Sequence, residues 1–334
     1  MQLRAPADVA TRPLEFVDRA VPEPGPDELL IRVEVCGVCR TDLHVVEGDL
    51  APQRAPIVPG HQAVGRVARC GPGVVKWQTG DRVGIAWLRR TCGACRFCVR
   101  GDENLCLEPR FTGWHEDGGF AEYAVAPAAF TYRVPEPLPA RDVAPLLCAG
   151  IIGYRALLRS RARPGARLGL WGFGASAHIA IQVARHFGCE VFVFSRAALH
   201  GDLARELGAT WVGGSDDAPP APLDAAILFA PAGELVPVAL SRLDRGGTLA
   251  VAGIHLSDVP PLDYQRHLFQ ERTLTSVTAN TREDGRALLH LAATIPIRTQ
   301  TTLYPLERAN EALDDLKNDR LRGAAVLEIG VGEV

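Results

Sequence analysis

The sequence predicts an α/β protein in two parts: a β-rich, barrel-like domain and a doubly wound parallel sheet. Three observations carry this. Up to about residue 145, Gly and Pro cut the chain into short β-like runs. Beyond it, strand-like and helix-like segments alternate, and the tail returns to mixed character. A chain of 334 residues is long enough for two full-sized cores.

In the first part the runs are LLIRVEVCGV (29–38), VGRVARCG (64–71), DRVGIAWL (81–88) and FAEYAVAP (120–127). They are short and separated by turn residues, as in an all-β domain. PLLCAGIIGYRALLRS (145–160) reads as one helix with small residues near its start. The alternation that follows starts with the strand RLGLW (167–171), the helix ASAHIAIQVARHFG (175–188) and the strand EVFVFS (190–195). It continues through the helical DLARELG (202–208), the extended DAAILFA (224–230), the helical ELVPVALSRL (234–243) and the strand GTLAVAGI (247–254). Such a series implies a parallel sheet covered by helices on both faces. Helices over 283–293 and 306–317 and a strand, GAAVLEIG (323–330), complete the chain, and DDAPPAPLD (216–224) reads as a Pro-rich surface loop. There is no internal repeat.

Composition narrows the function. With 47% hydrophobic and 22% charged residues and a net charge of −3, nothing attracts nucleic acid or an anionic membrane electrostatically. The start, MQLRAPADVATRPLEF, lacks the apolar core of a signal peptide, and no stretch reaches the roughly 18 apolar residues of a membrane span. A cytoplasmic location follows as the expectation; there thiols stay reduced and free to bind metal.

Nine cysteines then need sorting. TCGACRFCVRGDENLC places Cys92, Cys95, Cys98 and Cys106 as C-x₂-C-x₂-C-x₇-C. Two-residue gaps let a tight loop wrap an ion, and the fourth cysteine closes a tetrahedron suited to Zn²⁺. Four thiolates leave no open position, so this zinc is read as structural. The rivals are an iron–sulfur cluster, two disulfides and chance. CGVCRTDLH (36–44) leaves three readings open: a redox pair, half of a metal site, or a buried strand end. Cys39, His61 in PGHQAVG and Cys148 in PLLCAGIIGY each have a bland reading when taken singly, as buried thiols or a satisfied histidine.

RLGLW runs into Gly172-Phe-Gly174-Ala-Ser-Ala177 and a helix, the context of a dinucleotide fingerprint. Gly172 permits the tight turn. Gly174 lets backbone N–H groups and the helix N-terminus reach a pyrophosphate, and Ala177 stands where a third glycine is common. The second strand ends in Ser195-Arg196 instead of the acidic residue that holds the ribose hydroxyls of NAD, with His200 close by. A guanidinium and a hydroxyl fit a 2′-phosphate, so NADP is favoured, with NAD the alternative.

Together, GVCRTDLH, VPGHQAVG, GDRVGIAWL, the cysteine lobe, DGGFAEYA, CAGIIGYRAL and GFGASA stand in one order along the chain. In that order the chain resembles, end to end, the zinc-dependent alcohol dehydrogenases of the medium-chain dehydrogenase/reductase family. The resemblance implies a GroES-like β-barrel catalytic domain, 1–147 with 275–334, carrying a structural-zinc lobe at 90–108. It implies a Rossmann domain over 148–274. It also implies a second, catalytic zinc on Cys39, His61 and Cys148, with Asp42 orienting His61. Thr41 and His44 match the family's proton relay, and Arg40 a pyrophosphate contact. Where the family usually reads Gly-His-Glu, this chain has Gln62 after His61; the hypothesis is that zinc stays bound while ligand exchange changes. Trp87 matches a substrate-channel position, Val46 replaces a tryptophan of some members and so is expected to widen the pocket, and Phe111 and Trp114 follow on a nearby loop. The implied activity interconverts small primary or secondary alcohols with aldehydes or ketones in a homodimer or homotetramer. The rivals are a zinc-free quinone or enoyl reductase of the same superfamily and a non-catalytic, dinucleotide-binding redox sensor.

Overall fold

The computed structural model describes residues 1–330. It divides into two compact units, Met1–Cys148 with the segment from Ala279 on, and Ala149–Thr278.

The first unit is built on a seven-stranded sheet. Thr301–Pro305, Ala324–Glu328, Glu28–Val38, Gln62–Cys70, Arg82–Ile85 and Thr131–Arg133 follow one path, and Tyr123–Pro127 also pairs with Glu28–Val38. Only the first two strands of the path run parallel. The long strand Glu28–Val38 shifts register against Gln62–Cys70 between Leu30 and Ile31 and again between Val33 and Val35. Irregularities of this kind bend and twist a strand, and so curve the sheet. Leu29, Ile31, Val33 and Cys36 of that strand join Val67, Val83, Phe120 and Leu327 in one core. Cys36 is fully buried there, whereas Cys39 turns off the strand end to start the helix Arg40–Glu47.

The second unit is a six-stranded sheet, parallel throughout. Taken in chain order, its strands stand third, second, first, fourth, fifth and sixth across the sheet. They are Arg167–Trp171, Glu190–Phe194, Trp211–Gly213, Leu223–Leu228, Leu243–Val251 and Thr273–Ser276. This order reverses beside the first strand, and in open α/β sheets ligands bind at that reversal, beyond the strands' carboxyl ends. The helices Ala175–His186, Ala198–Glu206 and Leu235–Arg242 make crossovers between successive strands. Trp171 and Phe194, side by side on neighbouring strands, stack at 3.7 Å and 4° in the core.

Two local features depart from the sequence expectation. Residues 145–160 are not one helix: Ala144–Leu147 forms a 3₁₀ turn, Cys148 leaves helical geometry at φ −135° and ψ −75°, and Ala149–Ser160 is the α-helix. The Cys148 N–H closes the turn on the Pro145 carbonyl at 3.4 Å. Thr273–Ser276, whose alternation is too weak to mark it as a strand, pairs with Leu243–Val251 and carries the parallel sheet past residue 274. Among the described residues no single helix is long and apolar enough to cross a membrane.

Candidate functional site

The strand end and the helix start together aim the residues of CGVCRTDLH. Cys39 is the N-cap of Arg40–Glu47, and its N–H donates to Asp42 Oδ2 at 2.9 Å, closing a capping box. The other Asp42 oxygen, Oδ1, accepts from Gly60 N at 3.2 Å and contacts His61 Nδ1 at 3.1 Å. One buried carboxylate thus fixes the helix start, the Pro59-Gly60 turn and the imidazole. Gly60 is required there, since its φ is +95° and a Cβ on it would stand 2.4 Å from the Phe120 ring.

With Nδ1 held by Asp42, His61 turns Nε2 toward Cys39 Sγ at 3.4 Å, and Cys148 Sγ lies 3.9 Å from Cys39 Sγ. The three ligand atoms lie within 4.8 Å of one another. Zinc bound tetrahedrally at ~2.3 Å from sulfur and ~2.0 Å from nitrogen sets edges of about 3.8 Å between sulfurs and about 3.5 Å from sulfur to nitrogen. The triad fits that size. Electrostatics point the same way. The Cys39 thiol is pushed up by its contact with Cys148 and by burial, while burial of His61 is outweighed by Asp42 and Cys39, which raise it to about 10. This buried set holds protons where a cation would replace them.

The lobe differs in every respect but its chemistry. Cys92 lies 4.0 Å from Cys98, Cys95 3.6 Å from Cys98, and Cys106 3.5 Å from Cys92, sulfur to sulfur. Backbone N–H groups aim at these sulfurs: Cys92 N at Cys106 Sγ (3.2 Å), Cys95 N at Cys92 Sγ (3.3 Å) and Glu108 N at Cys106 Sγ (3.4 Å). The N–H groups of Cys98 and Leu107 hold the Cys95 thiol down to about 6, whereas burial and the neighbouring Cys95 push Cys98 up to about 11. Four thiols this close cannot all ionise without a cation among them.

Thr41 and His44 stand three residues apart on one helix, hence on one face. Thr41 is buried, and His44 Nδ1 contacts Asp49 Oδ2 at 2.8 Å. Arg40, expected at a pyrophosphate, instead holds Asp319 Oδ1 at 2.6 Å. Asp49 and Asp319 escaped the sequence analysis; Asp319 lies 279 positions away and no local pattern marks it. Val46 is fully buried in the core, so it lines no substrate channel and cannot widen one. Gln62 is buried too, packed on Gly37, and its Nε2 has no hydrogen-bond partner among the described residues. The rings of Trp87 and His61 meet in a T-shaped arrangement, with centroids 5.0 Å apart.

In the second unit, Gly172 turns at φ +84°, and a Cβ there would come within 2.9 Å of Ala230 N, at the end of the neighbouring fourth strand. Gly174 caps the helix Ala175–His186, and nothing lies within 4 Å of where its Cβ would be. That leaves the helix N-terminus open to an anion. Ala177 is fully buried. Beyond the second strand, Ser195 N bonds Gly213 O at 2.9 Å and Arg196 is exposed, with no ion pair among the described residues. His200 lies on the following helix, Ala198–Glu206. The glycine turn and the open helix N-terminus fit a dinucleotide.

Comparison with known proteins agrees. Residues 25–136 match the family model of the alcohol dehydrogenase GroES-like domain, and residues 177–294 that of the zinc-binding dehydrogenase. The chain is 55% identical over 333 residues to the probable alcohol dehydrogenase AdhA of Mycobacterium tuberculosis, covering 98% of this chain and 96% of that one. It is 36% identical over 326 residues to an alcohol dehydrogenase of Geobacillus stearothermophilus, covering 95% of each. A cobalt- and zinc-bound thermostable alcohol dehydrogenase from Pyrobaculum aerophilum superposes with a TM-score of 0.89 at 28% identity, covering 98% of both chains.

Proposed function

As a member of the zinc-dependent alcohol dehydrogenases of the medium-chain dehydrogenase/reductase family, to which this chain belongs, the protein interconverts alcohols with aldehydes or ketones, and we propose that Cys39, His61 and Cys148 hold its catalytic zinc. We assign a second, structural zinc to Cys92, Cys95, Cys98 and Cys106, and NADP(H) to the dinucleotide site. The gathering of Cys39, His61 and Cys148, drawn from three distant segments, carries the reading. The intact triad argues against a zinc-free reductase.

When bound, zinc supplies a Lewis acid that acidifies an alcohol or polarises a carbonyl, and the nicotinamide supplies the hydride partner. Asp42 keeps the proton of His61 on Nδ1, so that Nε2 presents its lone pair beside Cys39. Thr41, in the first turn after Cys39, accepts the proton of the alcohol through its hydroxyl. His44, on the same helix face, delivers that proton to solvent. Gly172, Gly174 and Ala177 shape the pyrophosphate cradle. Arg196, with Ser195 and His200, receives the 2′-phosphate, and Arg40 serves the pyrophosphate after leaving Asp319. All nine cysteines are unpaired, as a reducing cytoplasm maintains. We expect a homodimer or homotetramer in solution.

Metal analysis together with an alcohol assay run on both cofactors tests this reading. Two zincs per chain and NADP favoured about tenfold over NAD in kcat/KM support it; Arg196→Asp should reverse the preference. One zinc, or wild-type preference for NAD, overturns the corresponding part.

A further inference from the structure

We propose that His178 is a positioning residue of the dinucleotide site: its buried imidazole fixes the Gly174–Ala175 peptide and so aims a backbone N–H at the pyrophosphate. The inference rests on the dinucleotide reading of Gly172, Gly174 and Ala177 and deepens it.

Packing holds two parts of the cradle. The turn at Gly172 stands against Ala230, where a Cβ would come within 2.9 Å of a backbone nitrogen. The first turn of the helix Ala175–His186 is backed by the helix Ala149–Ser160, and a Cβ on Gly153 would stand 2.8 Å from Ser176 O. Gly174 lies between these parts and is not held in this way. It is an N-cap with no side chain to cap with, at φ −102° and ψ −151°, and nothing lies within 4 Å of the place a Cβ would take. Glycine rotates about its backbone bonds more freely than any other residue, so the peptide that follows it needs another restraint.

Hydrogen bonds supply that restraint. Gly174 O accepts from His178 N at 3.1 Å, the first bond of the helix, and His178 Nδ1 reaches the same oxygen at 3.3 Å. The spacing suits this contact, because helical side chains lean toward the N-terminus and residues four apart share a face. A carbonyl oxygen only accepts, so Nδ1 carries the proton. The ring is fully buried, and burial outweighs the neighbouring Gly174 and Ala175 backbone and lowers its pKa to about 4. At neutral pH it is therefore uncharged, with a single N–H, and that N–H is spent on Gly174. A trans peptide is planar, with its N–H opposite its C=O. Two donors on Gly174 O thus point the Ala175 N–H out of the helix end, where it has no partner within the helix and serves an anion.

Binding of dinucleotide fragments tests this without any turnover. The probes are ADP-ribose, which keeps the pyrophosphate, and adenosine, which lacks it, each with and without a 2′-phosphate. In calorimetry, His178→Leu should weaken the ADP-ribose probes about tenfold and leave the adenosine probes within twofold. His178→Asn, whose amide nitrogen stands where Nδ1 does, should recover most of the affinity. In turnover, the loss should fall on the KM of the dinucleotide and not on kcat. Equal weakening of both kinds of probe, or equal loss in the Leu and Asn variants, overturns the proposal. If His178→Leu does not fold, NMR of the wild-type protein labelled with ¹⁵N-histidine decides. A protonated Nδ1 whose signal shifts with the ADP-ribose probes and not with adenosine supports the role; a bare Nδ1, or no such shift, overturns it. Selective loss of the ADP-ribose probes without turnover of any alcohol would defeat the dehydrogenase reading and leave the role of His178 standing. Alcohol turnover without that selective loss would defeat the role of His178 alone.

Discussion

Two sulfur-rich clusters sit in the same unit, with similar donor chemistry and opposite embedding. In the lobe, Cys92 to Cys106 lie on one short stretch, and its sulfurs are half-exposed or near the surface apart from buried Cys106. Backbone N–H groups of the same stretch serve them. In the triad, Cys39 and Cys148 are 109 positions apart, His61 is fully buried, a buried carboxylate holds its Nδ1, and a tryptophan ring packs against the imidazole. Four donors close a coordination sphere, whereas three leave a direction for substrate. Closure by local chain makes a staple. Three donors converging from distant segments can be oriented by their surroundings, and chemistry needs that orientation.

Exchanging single ligands tests this division most severely. Cys148→Ser should lower kcat/KM by about 10³-fold or more, roughly 4 kcal/mol, while one zinc remains and the melting temperature barely moves. Cys98→Ser should instead lose the other zinc and lower the melting temperature, with turnover per folded molecule retained. If the two phenotypes are exchanged, so are the roles. A smaller effect should follow at Asp42. Asn there has one carboxamide oxygen for three N–H groups that now share two carboxylate oxygens. Zinc affinity at the triad should fall about 10- to 100-fold in chelator competition, with the lobe unaffected.

The same contrast governs what can be read without a structure. The lobe is legible because its ligands are local: C-x₂-C-x₂-C-x₇-C specifies a loop geometry by spacing alone. The dinucleotide turn is legible for the same reason, since strand, Gly172, Gly174 and helix are consecutive. The triad has no spacing to read; only resemblance brought its members together. What stayed hidden depends on packing. Cys148 interrupts an otherwise helical pattern because a 3₁₀ turn precedes it. Val46 looks like a channel residue by position, but its helix turns it into the core. Arg40 meets Asp319 across 279 positions, and Gln62 loses any partner for its Nε2 only because of where the strand buries it.

The smallest expected effect lies where the lobe is tied down. Glu103, between Cys98 and Cys106, is buried and takes Arg282 N at 2.6 Å and Nε at 3.0 Å on Oε1, and Nη2 at 2.6 Å on Oε2. Arg282 opens the helix Arg282–Thr294 and also covers the Phe130 ring at 4.4 Å. The staple is thereby fastened to a helix from the far end of the chain. Glu103→Gln keeps the shape and one acceptor but removes the charge, which should cost about 1–2 kcal/mol of stability at pH 7. Burial raises the carboxyl's pKa, but the contacts to Arg282 outweigh it and hold Glu103 below its ordinary value of 4.5. A depressed carboxyl stabilises the fold above its unfolded pKa and loses that contribution as pH falls through the folded value. Urea unfolding should therefore separate wild type from Glu103→Gln at pH 7, with the gap narrowing below about pH 4.5. Turnover at pH 7 should stay within twofold. A fall in turnover with unchanged stability would mean that the lobe's fastening reaches the chemistry, and the two clusters would then not be separable.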